Sequence, residues 1–322
     1  MPDIDALFNV YKPSGPTSHD VVARLRRASG VKRVGHAGTL DPLAEGVLLV
    51  AAGQATRAIE YLAILDKAYE AQVTFGVQTR TDDAEGAVVA ARPTDHLDRA
   101  IVERALDAFR GRIEQRPPAY SAISVGGRRL YDLARRGEAV EAPVRPVEIT
   151  RLDLLAWAPP VATLHVECSK GTYIRSLARD LGASLGCGGH LSRLVRRRVG
   201  AFAVEDAIPL STLEDALRAG EWQRYAIPAG AALAHLPALR LDEAAAAHLA
   251  HGRSVAAGPT APSGDEVTPR SSSAGDVTTA LLVPGVLARA YDPGGRFLAI
   301  VRRSADQGQT VWRPEKVFIG PA

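Results

Sequence analysis

The segment from residue 69 to residue 77 constrains the fold most, because every second side chain in it is apolar or aromatic. Tyr69, Ala71, Val73, Phe75 and Val77 alternate with polar or small neighbours. A period of two is typical of a β-strand that buries one row of side chains in a core. The chain is therefore expected to build a sheet around this strand.

The other predicted elements follow one another without a regular βαβ alternation. This order favours an α+β domain on a mixed, mostly antiparallel sheet. Ser18 is the predicted cap of the first helix and Gly30 its end, and Ser211 begins a later helix that Gly220 ends. Strands are predicted at residues 7–10, 47–50, 147–155 and 162–168, and further helices at residues 98–109 and 172–185.

The composition of the chain changes after residue 232. Residues 258–278 are rich in Gly, Pro, Ser and Thr and contain few apolar side chains. Short strands are predicted again at residues 295–300 and 316–319. The sequence therefore predicts a larger domain over residues 1–232 and a small β-rich module over residues 233–322, with a low-complexity insert at 258–278.

Composition and cysteine usage indicate the compartment. Hydrophobic residues make up 46% of the 322 residues, which is ample for a packed core. No apolar run approaches membrane-spanning length, and the first residues lack the features of a signal peptide. Cys168 and Cys187 fit two reduced thiols better than a metal-binding pair, and the eight histidines are scattered. We expect a cytoplasmic protein without a membrane segment or a bound metal.

The distribution of charge is more informative than its sum. The net charge of +3 is small for this length and decides nothing. Seven arginines lie between Arg110 and Gly137, and seven basic residues lie between Lys170 and Gly200. Clustered positive charge suits a polyanion that binds through its phosphates. These two clusters therefore favour a nucleic-acid partner.

The segment from Gly35 to Pro42 places one carboxylate, that of Asp41, on a constrained turn before the predicted strand at 47–50. Gly35 and Gly38 permit backbone angles that other residues avoid, and Pro42 steers Asp41 toward an extended conformation. A carboxylate fixed by the backbone is typical of a catalytic group. From the spacing alone, an ordinary Asp-Pro turn explains the segment equally well.

Residues 35–48 resemble the catalytic-loop signature of the TruB family of tRNA pseudouridine synthases, which isomerise uridine 55 in the T loop of tRNA. Several further segments match the family in the same order, and together they are specific, although each alone is weak. The resemblance is clear over residues 5–230 and weak beyond them. The further segments are residues 12–18, 66–69, 116–122, 127–131, 169–175 and 186–194.

The resemblance implies a pseudouridine-synthase fold for residues 1–232 and a PUA-like RNA-binding domain for residues 233–322. It implies that the partner is the T arm of tRNA, bound without a guide RNA or a required protein partner. The reaction breaks the N1–C1′ bond of uridine and joins C5 to C1′. Because it includes no redox step and no phosphate transfer, it needs no cofactor. The predicted surfaces for the tRNA backbone are the arginines of residues 116–136 and 193–198.

The resemblance also implies the catalytic group and two of its neighbours. Asp41 is the expected catalytic residue, either as a nucleophile at C1′ or as a base at C2′. Arg175 is expected to pair with Asp41 and keep it ionised, although a surface arginine that binds phosphate fits its sequence position as well. Tyr69 is expected to stack on the target base, while its place on the strand fits a core aromatic residue too.

Four more residues are expected to contact the substrate by the same resemblance. Leu194 and Tyr173 are expected to line the pocket of the target base. His36 is expected to fill the stack that the flipped uridine leaves. Lys12 is expected to support the catalytic loop or to meet a phosphate.

Three other functions remain open at this stage. The chain could be a tRNA-binding or folding protein whose catalytic loop is vestigial, but Asp41, Tyr69 and Arg175 are all present. It could be a guide-RNA-dependent relative of the family, although the bacterial stand-alone pattern fits better. A carboxylate-based glycoside hydrolase has the least support, because no motif places a second carboxylate as general acid.

Overall fold

The computed structural model describes residues 4–121, 124–125, 128–129, 142–257, 283–306 and 308–318. The predicted insert at 258–278 lies outside these residues, as do most of residues 122–141. In the part of the chain that is described, no helix is long and apolar enough to cross a membrane.

The strands and helices are numbered in chain order. The strands are β1 (Ala6–Lys12), β2 (Val34–Ala37), β3 (Glu45–Ala52), β4 (Lys67–Phe75), β5 (Val77–Thr79), β6 (Val88–Ala91), β7 (Gly111–Gln115), β8 (Ser124–Val125), β9 (Arg128–Arg129), β10 (Arg145–Ala158), β11 (Val161–Cys168), β12 (Gly189–Val199), β13 (Phe202–Ala203), β14 (Ile208–Pro209), β15 (Ala238–Arg240), β16 (Val255–Ala256), β17 (Leu287–Tyr291), β18 (Phe297–Asp306) and β19 (Gln309–Val317). The helices are α1 (Ser18–Ser29), α2 (Ile59–Ala63), α3 (Arg99–Leu106), α4 (Ile174–Ser184), α5 (Leu210–Ala219), α6 (Ala229–Ala232) and α7 (Glu243–Ala250).

Among the described residues, ten strands form one sheet. Its main path runs β14, β1, β3, β12, β4, β11, β10 and β7, with β2 paired to β3 and β13 paired to β12. The pairs β1–β14 and β3–β12 are parallel and the others are antiparallel. The prediction of an α+β fold on a mixed, mostly antiparallel sheet is confirmed.

Helices α1, α3, α4 and α5 cover one face of this sheet and form the larger apolar core with it. Tyr69, Ala71, Val73 and Phe75 of β4 are buried in that core, as their alternation predicts. Side chains of α1, α3, α4 and α5 complete the core from the helical side. Because β4 lies between β11 and β12, the strand that constrained the sequence analysis most is central in the sheet.

A second, smaller sheet is formed by the C-terminal part of the chain. Its order is β15, β17, β18, β19 and β16. Ile300 is buried in an apolar cluster that includes Leu49 of β3 and Leu62 of α2, and Phe318 packs against the same cluster. Lys316 pairs with Glu60 of α2 at 2.9 Å. The smaller sheet therefore packs behind the strand that follows the Asp41 loop.

Two helix boundaries differ from their prediction for the same physical reason. Helix α1 is capped by Thr17, which forms a reciprocal capping box with Asp20, and Gly30 ends it in the left-handed conformation. Helix α5 begins at Leu210 after Pro209, and no side chain caps it. Ser18 and Ser211 were the predicted caps, and both lie inside the first turn. A polar residue near a helix start does not by itself fix the first helical residue, which depends on where the backbone becomes helical.

Gly182 allows α4 to lie directly on the chain leading into β12. A Cβ atom at this position would overlap the backbone of Gly188 and Gly189, which cannot move aside as a side chain can. We expect Gly182→Ala to lower the free energy of unfolding by about 1–3 kcal/mol, the usual effect of overpacking. Gly294→Ala is the matched control, since its Cβ would meet only the Asp292 carboxylate at 3.4 Å. Equal denaturant midpoints for the two variants would contradict this packing.

Candidate active site

A pocket of about 660 Å³ opens at one end of the ten-stranded sheet. It lies between the loop before β3, the starts of β4 and α4, and the middle of β12. Five of the seven predicted site residues line it, namely Asp41, Tyr69, Tyr173, Arg175 and Leu194. The other lining residues are Thr17, His19, Gly38, Thr39, Leu40, Pro42, Ala63, Lys67, Tyr120, Ser121, Ser169, Gly171, Thr172, Ile174 and Arg196.

The loop that carries Asp41 is held by hydrogen bonds on both sides of the carboxylate. Ser18 Oγ donates to the Leu40 carbonyl at 2.9 Å and accepts from the Leu40 amide at 2.8 Å. The Pro42 carbonyl accepts from the Gly15 amide at 2.9 Å. The Ala44 amide donates to the Asp41 carbonyl at 3.1 Å. The loop is therefore a fixed support for its carboxylate, as a catalytic group requires.

Asp41 forms an ion pair with Arg175 at the base of the pocket. Arg175 Nε lies 2.9 Å from Asp41 Oδ2, and the Asp41 side chain is 39% exposed, so one side of the carboxylate faces the pocket. Arg175 itself is 6% exposed. The pairing that the resemblance implied is therefore present, and Arg175 is not a surface residue.

Three further groups hold the Arg175 guanidinium in place. Its Nη1 donates to the Thr81 carbonyl at 3.1 Å and its Nη2 to the Tyr120 carbonyl at 2.9 Å. Asp83, which is 4% exposed, lies 3.5 Å from Nη1 through its Oδ2. The guanidinium of Arg175 thus has a carboxylate on each of two sides and cannot rotate away from Asp41. It therefore holds the Asp41 carboxylate in one orientation.

The protonation of Asp41 is set by opposing effects. Burial beside the pocket wall raises the pKa of its carboxyl above the ordinary value, because removal of water disfavours the charged form. The guanidinium of Arg175 acts against this increase, while the negative charge of Asp83 adds to it. Arg175 is therefore the strongest of the influences that favour the ionised form of Asp41.

The apolar walls of the pocket come from neighbouring strands. Tyr69 of β4 is 8% exposed and Leu194 of β12 is 6% exposed. Burial raises the pKa of the Tyr69 hydroxyl, so this group stays protonated at neutral pH. Tyr173, which precedes α4, is held by two reciprocal hydrogen bonds between its backbone and the Gln115 amide, of 2.7 and 3.1 Å. A flat base would fit between such surfaces.

Arg196 has a role that the sequence analysis missed. This residue is 1% exposed, and its guanidinium donates to the carbonyls of Val47 at 2.7 Å, Gly38 at 3.0 Å and Thr39 at 3.3 Å. It also lies beside the hydroxyl of Tyr69, its partner in register on β4. Arg196 thus ties the Asp41 loop to the tyrosine of the opposite wall.

The prediction that residues 193–198 form a tRNA surface is therefore wrong for Arg196. Arg193 pairs with Glu45 at 2.8 Å, and Arg198 pairs with Glu167 at 2.8 Å. The run of arginines suggested a solvated face. The alternation of side chains along β12 could have indicated the burial of Arg196, because it puts Arg196 on the same side of the strand as Leu194.

The two remaining predicted residues lie outside the pocket lining. Lys12 is fully buried and donates to the carbonyls of Ala44 at 2.6 Å, Pro13 at 2.9 Å and Pro42 at 3.3 Å. Of the two roles expected for Lys12, these contacts support the loop and leave no path to a phosphate. His36 lies on β2 opposite Val50, and its Nδ1 is buried without a hydrogen-bond partner among the described residues.

Comparison with known proteins defines the family. The model of the TruB family pseudouridylate synthase N-terminal domain matches residues 26–174, and that of the tRNA pseudouridylate synthase B C-terminal domain matches residues 175–234. The tRNA pseudouridine synthase B of Symbiobacterium thermophilum is 52% identical over 253 residues, covering 78% of this chain and 83% of that protein. The protein of the same name from Dehalococcoides mccartyi is 39% identical over 316 residues, covering 98% of this chain and 97% of that protein.

Solved structures share the fold over nearly the whole chain. A Cbf5–Nop10–Gar1 complex contains a chain with a TM-score of 0.73 and 25% identity, and the match covers 98% of this chain and 85% of that one. A chain in an H/ACA RNP bound to a substrate RNA containing 2′-deoxyuridine gives a TM-score of 0.71 at 24% identity, with the same coverage. The fold is therefore the Cbf5-like fold of a pseudouridine synthase.

The chain belongs to the TruB family. Its activity is accordingly that of a tRNA pseudouridine synthase, which is an isomerase.

Proposed function

We propose that this enzyme isomerises uridine 55 in the T loop of tRNA, with Asp41 as the catalytic residue. The observation that carries the proposal is the Asp41–Arg175 ion pair at the base of a pocket that Tyr69 and Leu194 close from the side. A uridine inside a folded loop can reach Asp41 only if it is flipped out of its stack. The pocket volume of about 660 Å³ is sufficient for one nucleotide.

Asp41 acts on the sugar in either of two ways. Its carboxylate attacks C1′ of the target nucleotide, or it removes the proton from C2′ to give a glycal. In both routes the N1–C1′ bond breaks, the uracil rotates, and C5 bonds to C1′. The first route then releases the ester to Asp41, whereas in the second Asp41 returns the proton to C2′. In both, the proton lost from C5 is balanced by one gained at N1, so the product is an isomer of the substrate. Arg175 serves both routes, because it fixes the carboxylate and favours its ionised form.

The remaining predicted residues hold the RNA around this centre. Tyr69 stacks on the flipped uracil, Leu194 packs against its other side, and Tyr173 closes the edge of the pocket. His36 lies outside the pocket and fills the stack that uridine 55 leaves. Lys12 keeps the Asp41 loop in place through its three carbonyl contacts.

The two parts of the chain have separate tasks in this proposal. Residues 1–232 form the catalytic domain, and residues 233–322 form a PUA-like module that contributes to RNA binding. The five-stranded sheet of residues 238–317 and its own apolar core support this division. The T arm of tRNA is proposed to bind without a guide RNA or a protein partner, because the sequence matches the stand-alone bacterial pattern of the family.

Two T-arm hairpins test the proposed target. The unmodified hairpin should gain pseudouridine when it is incubated with the purified chain alone. The matched hairpin with cytidine in place of uridine 55 should gain none. Product at another uridine of the control hairpin would contradict the assigned position. Tight binding of the first hairpin without product would support an RNA-folding protein with a vestigial catalytic loop.

The affinity for the T arm should fall steeply with added salt. Arg112, Arg116, Arg145 and Lys170 are exposed, and phosphate contacts by such groups release counterions. With about four such contacts, the dissociation constant should rise on the order of 100-fold between about 50 and 200 mM salt. Filter binding across this range measures the effect, and a flat response would contradict a phosphate-binding surface.

Replacing Arg175 by Met should shift the pH dependence of the reaction. Arg175 opposes the increase in the pKa of Asp41, so its loss raises that pKa further and leaves less ionised carboxylate at a given pH. The acid limb of the single-turnover rate should therefore move to higher pH, with a loss of about 10- to 100-fold at neutral pH. Arg99→Met, which removes an exposed ion pair with Glu103 away from the pocket, is the control. An unchanged acid limb would contradict the pairing.

A further inference from the structure

Lys67 is a pocket residue to which neither the resemblance nor the proposed function gives a role. It begins β4, and it lies two residues before Tyr69, on the same side of the strand. Lys67 lines the pocket together with Asp41 and Tyr69, yet it is only 6% exposed. A lysine is rarely this buried unless a negative group accompanies it.

The negative group that would balance Lys67 is missing among the described residues. The Lys67 ammonium donates to the Ala63 carbonyl at 2.7 Å. In the described part of the chain it forms no ion pair, and the carboxylate of the adjacent Asp66 acts on it only at longer range. Its neighbour in register is Cys168 of β11. Burial raises the pKa of the Cys168 thiol to about 11, so this group is neutral and supplies no countercharge.

The other buried cations near the pocket are satisfied by the protein. Arg175 has the carboxylates of Asp41 and Asp83, and Arg196 has three carbonyls and the Tyr69 hydroxyl. Lys67 has three N–H donors, and one carbonyl of the described residues accepts from them. Burial, with repulsion from Arg196, lowers the pKa of Lys67 to about 8, so the ammonium form still predominates at neutral pH.

The surroundings of Lys67 suit an anion that enters from the pocket. Residues 169–172 follow Cys168 directly, and they form a turn that lines the same wall with Ser169, Gly171 and Thr172. Lys170 in this turn is exposed and adds a second positive charge at the opening. The ligand that the enzyme is proposed to bind brings its negative charges as phosphodiesters.

We propose that Lys67 is a positioning residue that binds a backbone phosphate next to the uridine in the pocket and so fixes the ribose over Asp41. This inference rests on the proposed function, because it takes the flipped nucleotide as the occupant of the pocket. The phosphate would supply the countercharge that Lys67 lacks. One charge-assisted hydrogen bond of this kind changes affinity by about 10- to 100-fold.

A cycle that removes the two charges separately tests the contact. Three T-arm hairpins are compared: one fully natural, one with an uncharged methylphosphonate on the 5′ side of uridine 55, and one with it on the 3′ side. Lys67→Met should weaken binding of the natural hairpin by about 10- to 100-fold. On one of the two methylphosphonate hairpins, Lys67→Met and the unaltered chain should bind equally well.

Two controls separate this contact from a structural effect. Lys67→Gln removes the charge but keeps a polar side chain, and its affinities for the three hairpins should match those of Lys67→Met. Thermal unfolding identifies a variant that fails to fold. Lys316→Met removes a lysine that pairs with Glu60 outside the pocket, and its effect should be the same on all three hairpins.

The result that would overturn the inference is an equal loss on all three hairpins in the Lys67 variants, since the lysine would then act only through the fold. Pseudouridine formed by the unaltered chain on the natural hairpin is scored in the same samples. Its absence would count against the proposed function, whereas the binding cycle reports on Lys67 independently of product.

Discussion

Asp41→Asn is expected to bind T-arm RNA normally and to form no measurable pseudouridine. The amide has the shape of the carboxylate but no charge, so it neither attacks C1′ nor accepts the C2′ proton. The single-turnover rate should fall by at least about 10⁴-fold, as for loss of other essential catalytic groups. The dissociation constant should stay within about threefold, because Arg175 keeps its contacts with Thr81, Tyr120 and Asp83.

The control for Asp41→Asn is the same change at an exposed aspartate. Asp215 of α5 is 77% exposed and pairs only with Arg218 of its own helix. Asp215→Asn should therefore leave both rate and affinity unchanged. An Asp41→Asn variant that keeps a rate within about tenfold of the unaltered chain would remove Asp41 from the catalytic role.

Arg196→Met is expected to have the largest effect on stability. The change removes the buried guanidinium that donates hydrogen bonds to the carbonyls of Gly38, Thr39 and Val47. Each unpaired buried group costs about 1–3 kcal/mol, and partial relaxation gives a total of about 3–5 kcal/mol. Thermal unfolding should show a decrease in Tm on the order of 10 °C.

The neighbouring arginine provides the control for Arg196→Met. Arg197 pairs with Glu205 at the surface, and its side chain is 43% exposed. Arg197→Met should change the free energy of unfolding by less than about 0.5 kcal/mol. Equal losses in the two variants would mean that the three carbonyl contacts of Arg196 do not hold the Asp41 loop.

The sequence predicted the strands well because their signal is local. The alternation from Tyr69 to Phe75 places those side chains in the core, and the apolar run at 47–50 lies inside β3. The caps of α1 and α5 lie at residues 17 and 209, which is one and two residues before their predicted positions. Local sequence patterns indicate whether a segment is a strand or a helix, whereas the backbone conformation determines its first residue.

The candidate site was predicted in part. Asp41, Tyr69, Tyr173, Arg175 and Leu194 meet in one pocket, as the resemblance implied, although their roles are still proposals. The supporting groups were missed because their partners are distant in sequence. Arg196 binds carbonyls about 150 residues away, Asp83 reaches a helix 92 positions later, and neither contact has a local signature.

The charge of a residue proved a poor guide to its exposure. Arg196 and Lys67 are both buried at the pocket, although a charged side chain is ordinarily solvated. Arg196 is stabilised there by carbonyls that only the folded loop presents. Residues 193–198 were predicted to form one surface, whereas the pleat of β12 gives alternate side chains different environments.

The most direct test of the account is the pseudouridine content of each position in an unmodified full-length tRNA after incubation with the purified chain and no other macromolecule. The account predicts pseudouridine at position 55 and at no other position. Modification of a different uridine, or complete absence of pseudouridine from a tRNA that the chain binds, would contradict it.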